Sequence, residues 1–119
     1  MSDESCLDPA ALARLRKLGG APFVRQMLTL FLDLTREKIA AARAAERAGD
    51  LAGIQKAVHP LRSSSGNVGA LAMLDLATRI ERLAMEQKAD EVPSLLCELE
   101  AAFARLQPWL EKEIEEAVP

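Results

Sequence analysis

Histidine is almost absent from this chain, whose 119 residues include only one, His59. A lone imidazole excludes His-rich metal sites and any two-histidine acid/base scheme. Aromatic residues are scarce, at 3% with no tyrosine, so the core has to be built from Leu, Ala, Ile, Val and Met. The two cysteines, Cys6 and Cys97, show neither CxxC spacing nor a disulfide framework, and a reduced cytosolic setting is the natural reading. Apolar runs are broken by charge well short of the ~20 residues a membrane span needs. The acidic start Met1-Ser2-Asp3-Glu4-Ser5 is no signal peptide. Positive charge is not in excess either: 15 Lys and Arg against 18 Asp and Glu leave a net −3, a poor basis for nucleic-acid binding. Missing too are a glycine-rich phosphate loop, the GxxxxGK[ST] pattern and an acidic cluster suited to Mg²⁺, so self-phosphorylation from ATP is excluded and no cofactor is expected in this chain. What remains is a soluble, cytoplasmic, single-domain protein without nucleic-acid or membrane partners.

The pattern that is present is helical throughout, because period-two alternation is lacking and β-branched residues are thin. Asp8 as N-cap and Pro9 at the first helical position open a short helix striped by Leu12, Leu15 and Leu18, with Gly19-Gly20 as its stop. Residues 1–6 are expected to form a flexible tail. Pro22 opens the longest helix, which runs to about Ala48 and spans roughly 40 Å. Its stripe is Phe23, Met27, Leu30, Phe31 and Leu34, continued by Ile39, Ala42 and Ala45. A third helix follows Asp50 and ends around Gly66. A fourth starts near Ala70, with Leu71, Leu74, Ala77, Ile80 and Leu83/Ala84 as its buried stripe. The last opens at Pro93 and carries Leu95/Leu96, Leu99, Phe103, Leu106, Leu110 and Ile114, with Pro108 set to kink or end it locally. Short links between long amphipathic helices give an all-α, up-and-down antiparallel four-helix bundle with a short additional N-terminal helix, over residues 1–119. Its polar outer faces point to a monomer.

The third helix holds the histidine. Leu51, Ile54, Val58, Leu61, Ser65 and Val68 define its core seam, and His59 lies about 130° from the mean of its near neighbours on that seam, facing solvent. Residues three and four positions away share its face: Gln55, Lys56, Arg62 and Ser63, then Ala52 and Gly66 a turn further. No acidic residue occurs between Asp50 and Asp75, so Lys56 and Arg62 give that stretch +2 while the remainder carries −5. A positive patch on an acidic protein suits an anionic group. Imidazole, with an ordinary pKa of about 6.5, is mostly neutral near pH 7 and nucleophilic. A neutral ring nitrogen can attack activated phosphorus while Arg and Lys steady the phosphoryl oxygens. Composition permits this chemistry without establishing it, since a lone exposed histidine on a helix is usually an ordinary surface residue.

The string Ala57-Val58-His59-Pro60-Leu61-Arg62-Ser63-Ser64-Ser65-Gly66-Asn67-Val68-Gly69-Ala70 resembles the signature of histidine-containing phosphotransfer (HPt) domains. That signature reads His, any residue, Leu, a basic residue, Gly or another small residue, then Ser or Ala, ending in a Gly-Ala that begins the next helix. Leu18-Gly19 and Phe31-Leu32 are similar to upstream family positions, and Leu74, Ala77, Ile80 and Glu81 to the helix that follows. The resemblance implies a free-standing bacterial phosphotransfer protein of a multistep two-component phosphorelay, a carrier rather than an enzyme. His59 would accept a phosphoryl group from an aspartate of a response-regulator receiver domain or a hybrid sensor histidine kinase and pass it to another receiver. Arg62 would stabilise the phosphoryl group, in the place usually held by Lys. Ala52, Gln55, Lys56, Ser63 and Gly66 would meet the partner, with Ser63 where the family often has Gly. Mg²⁺ would sit on the partner receiver. Gly69 suits a turn that takes positive φ.

Pro60 departs from the pattern: it leaves the Lys56 carbonyl without its helical partner, at about 3 kcal/mol in a generic helix interior. Because the seam runs unbroken past it, a kinked continuous helix is expected. Ser63-Ser64-Ser65 does not make a nucleophilic Ser–His pair, as no orienting acid is nearby and Ser65 points inward. Cys97 is placed on an apolar seam as a core residue, and Trp109 as packing at the bundle end. The competing function is a helical adaptor that docks on a receiver or kinase, and inhibits it, without phosphotransfer.

Overall fold

The computed structural model describes residues 7–117, so Cys6 and the expected 1–6 tail lie outside the described residues. Four helices follow in order: α1 Pro9–Arg47, α2 Leu51–Val68, α3 Leu71–Met85 and α4 Val92–Glu116. Each packs against its neighbour in sequence, and α4 closes the ring against α1, as the short links predict for an up-and-down bundle. The molecule measures 46 × 27 × 19 Å.

Helix ends follow the sequence chemistry. The Asp8 carboxylate accepts from the Ala10 amide with Pro9 next to it, and the Asp50 carboxylate accepts from the Gly53 amide. The expected short helix and the long one are joined in α1, but Gly20 interrupts them with φ 73 and ψ −168. That left-handed angle is open to glycine and costly for other residues. It bends residues 9–19 into an arm whose start is tied to the α2–α3 turn. There the Asp8 amide donates to the Gly69 carbonyl at 2.8 Å, and Leu7 pairs with Ala70. Gly69 ends α2 at φ 78, and a Cβ on it would lie 2.8 Å from both the Asp8 carbonyl oxygen and Ala11 Cβ. Glycine is thus required there twice over, for its backbone angle and for the close approach of the arm.

The core is aliphatic, as the scarcity of aromatics demands, with Leu28, Ile54, Leu61, Met73, Ile80, Leu96, Leu99, Leu106 and Leu110 fully buried. Trp109 is half-buried against it. Several stripe assignments need correction. Leu18 is 77% exposed, because the arm's seam ends at Leu15, one turn before the break. Leu30 is exposed because it lies ~100° from Phe31, on the side away from Leu28 and Leu32. In α3 the stripe is Met73, Leu76, Ala77, Ile80, Glu81 and Ala84, and Leu71 falls ~120° from Ala77, outside it. Cys97 is exposed rather than core. It stands ~160° from Leu99 on the wheel of α4, and its Sγ accepts from Arg43 Nη2 at 3.0 Å beside the Arg43–Glu100 ion pair. α2 runs two residues further than expected, to Val68, and passes through Pro60 without a break. α4 likewise continues through Pro108 rather than ending there.

Candidate functional site

The α2 seam buries Ile54, Val58, Leu61, Ser65 and Val68, and this fixes the rotation of the helix. His59 therefore faces outward, with its side chain 63% exposed. Its imidazole does not stand alone. Nδ1 lies 2.6 Å from Oε2 of Glu81, which reaches it from α3. Glu81 is only 4% exposed and receives two further hydrogen bonds: Gln55 Nε2 donates to Oε2 at 2.6 Å, and Arg62 Nη1 donates to Oε1 at 2.7 Å. Three groups of one α2 face thus converge on one carboxylate of α3. A carboxylate can accept about four such bonds, and a buried one needs them to offset its lost hydration.

Glu81 is the residue the sequence reasoning missed, and it corrects the statement that no orienting acid is nearby. The signal was available: Glu81 lies four residues after Ala77, inside the buried stripe of α3. A charged residue at a core position has to find partners, and the acid-free stretch of α2 supplies them. The positive patch is corrected by the same finding. Arg62 is ion-paired with Glu81, while Lys56 is exposed and forms no ion pair among the described residues.

Burial pushes the Glu81 carboxyl pKa upward, but the hydrogen bonds from Arg62, Gln55 and His59 outweigh it and hold the pKa below the ordinary carboxylate value. Glu81 is accordingly ionised at neutral pH and can only accept. The hydrogen on the short His59–Glu81 contact must then belong to Nδ1. In a neutral ring this leaves the lone pair on Nε2, the nitrogen not bonded to the carboxylate. Arg62 commits Nη1 to Glu81, and its other donors make no contact among the described residues. The guanidinium fork can therefore take a second anion without releasing the first.

Of the other residues expected around His59, Ala52, Lys56 and Ser63 are exposed. Gln55 is half-buried, with its amide turned onto Glu81 rather than free for a partner, and Gly66 is also half-buried. Ser65 is buried, and its hydroxyl and that of Ser64 have no hydrogen-bond partner among the described residues. A groove of about 460 Å³ adjoins the network, lined by Arg62, Thr78, Glu81, Arg82, Met85 and Glu86. No helix among the described residues is long and apolar enough to cross a membrane.

Comparison with known proteins agrees with this picture. The family model of the Hpt domain matches residues 26–109, which include His59, Arg62 and Glu81. Among solved structures, the crystal structure of histidine-containing phosphotransfer protein B (HptB) from Pseudomonas aeruginosa PAO1 matches with a TM-score of 0.89. The alignment covers 93% of this chain and 96% of that one at 23% sequence identity, a likeness of fold. Comparison with curated protein sequences finds no match. With the family model spanning most of the chain, this protein belongs to the Hpt domain family.

Proposed function

We propose that this protein is a phosphoryl carrier in a multistep two-component phosphorelay, with His59 as its acceptor. Members of the family are phosphocarriers rather than kinases. The observation that carries the assignment is the 2.6 Å contact between His59 Nδ1 and ionised Glu81, which leaves the Nε2 lone pair on an exposed ring. In the forward step Nε2 attacks the phosphorus of an aspartyl phosphate on a receiver domain. The N–P bond forms, the acyl O–P bond breaks, and the receiver keeps its carboxylate. The Nδ1 proton stays in place, so the ring becomes cationic, and Glu81 stabilises that charge across the short contact. The free donors of Arg62 bind the phosphoryl oxygens. In the onward step the electron pair returns to Nε2 and the phosphoryl group passes to a second receiver.

In this reading Mg²⁺ belongs to the acidic pocket of the receiver. The partners are receiver domains, including that of a hybrid sensor kinase, docking over Ala52, Lys56 and Ser63. Incubation with a phosphorylated receiver should label the protein, and His59→Gln should abolish the label while leaving the bundle folded, because the side chain is exposed. Docking that survives with no label on the wild-type protein would favour the adaptor reading instead.

A further inference from the structure

We infer that Glu81 keeps the Nδ1 proton on His59 after phosphorylation, so that the carrier remains competent to donate at alkaline pH. The inference rests on His59 being the phospho-acceptor, and concerns what its neighbour does once the group is loaded. Phosphorylation at Nε2 changes the demands on Nδ1. With Nδ1 protonated, cleavage of the N–P bond releases a neutral imidazole. With Nδ1 deprotonated, the same cleavage would release an imidazolate anion, a far poorer leaving group. The protonation of one nitrogen therefore separates a ready donor from an inert store, and the residue facing that nitrogen sets the balance.

The charges around the ring compete. On α2, Arg62 and Lys56 oppose a proton on Nδ1. On α3, Glu81 favours it from 2.6 Å with its own carboxylate buried, while Arg82 and Glu86, of opposite sign, line the adjoining groove. On α1, Arg36 pairs with Asp33 and Lys38 with Glu37, within that helix, and none of the four makes a hydrogen bond or ion pair with the ring among the described residues. Glu81 has the shortest contact, and it is held there independently of His59 by Gln55 and Arg62. The incoming phosphoryl group is itself anionic and draws on Arg62, which leaves Glu81 with more of its charge for the ring. Glu81 is on this account a positioning residue whose charge, not only its hydrogen bond, is used. An amide at the same place would accept the Nδ1 hydrogen but would not hold the cation.

The test is a pH titration of the loaded, full-length chain. Protein labelled with ¹⁵N in its histidine is phosphorylated with phosphoramidate, and the Nδ1 signal and the rate of phosphoryl loss to water are followed through the alkaline range. The wild-type protein should keep the Nδ1 proton to a pH about one to three units above that of Glu81→Gln, the range expected for an opposite charge in contact. Its loss rate should stay level to the same pH, while that of Glu81→Gln falls earlier. Glu81→Asp, which keeps the charge one methylene further back, should titrate between the two. It also carries the comparison if Glu81→Gln does not fold, by titrating below the wild type. Coincident curves for wild type and variants overturn the inference and leave His59 as acceptor. Failure of phosphoramidate to load His59 in the wild type overturns both.

Discussion

Pro60 offers a quantitative test of how this chain balances helix stability against the geometry of its site. It is half-buried in the middle of α2, one residue after His59, and the helix continues on both sides of it. Having no N–H, it leaves the carbonyl of Lys56 without a ladder bond, and its ring crowds that carbonyl. Replacing Pro by Ala in a helix interior is worth about 3 kcal/mol in the helix. Against this, proline stiffens the unfolded chain, and its loss returns roughly 0.4–1 kcal/mol to that state. Pro60→Ala should therefore stabilise the protein by about 2 kcal/mol, which for a domain of this size raises Tm by roughly 6–10 °C. Urea and thermal unfolding of the two proteins, followed by far-ultraviolet circular dichroism, measure both quantities. An unchanged or lowered Tm would refute the reasoning, and would mean that packing of the pyrrolidine ring outweighs the missing bond.

Other expectations are open to direct measurement. Gly69→Ala combines a left-handed backbone with a Cβ 2.8 Å from two atoms of the N-terminal arm, and should lower stability in urea by about 2–4 kcal/mol. The pKa of Glu81 is held down by hydrogen bonds from Arg62, Gln55 and His59 against burial, and that of Glu100 by its bond to Arg43. Carboxyls depressed by folding stabilise above their unfolded pKa of about 4.3 and lose that contribution as the pH falls through their folded values. Stability should thus decline on acidification below that point, and Glu81→Gln should flatten the decline in a series of urea midpoints. Arg62→Ala should slow phosphotransfer by about 10- to 100-fold while weakening receiver binding far less, as read by rapid-quench kinetics beside calorimetry. Equal loss of both would reduce Arg62 to an electrostatic docking residue.

Local chemistry was legible in the sequence wherever a residue acts on its own neighbours. Asp8, Asp50 and Gly69 cap or end helices where their side chains and permitted angles say they should. The seam of α2, with its fixed spacing, is enough by itself to put His59 on the outer face. Errors arose where a side chain's position depends on a second helix. Leu18, Leu30 and Leu71 fit a generous apolar stripe, but only the packing of neighbours decides which edge of a stripe is covered. Cys97 adjoins Leu96 in the sequence, yet the helical wheel itself separates it by a wide angle from Leu99, and it is exposed. Glu81 was hidden for a different reason. It lies 22 residues from His59, on another helix, and charge counted along the chain cannot register a carboxylate that arrives across a bundle. The family resemblance included Glu81 as a position, but only the structure gives it partners.

On the proposed function Glu81 leaves Nε2 as the nucleophile of His59, and the nitrogen that carries the phosphoryl group reads this out. The two phosphohistidine isomers are distinguished by ¹⁵N–³¹P couplings in protein labelled at histidine and phosphorylated by a receiver aspartyl phosphate. A single phosphorylated nitrogen, Nε2 of His59, is expected. Phosphorylation at Nδ1, or a label retained by His59→Gln, would contradict it.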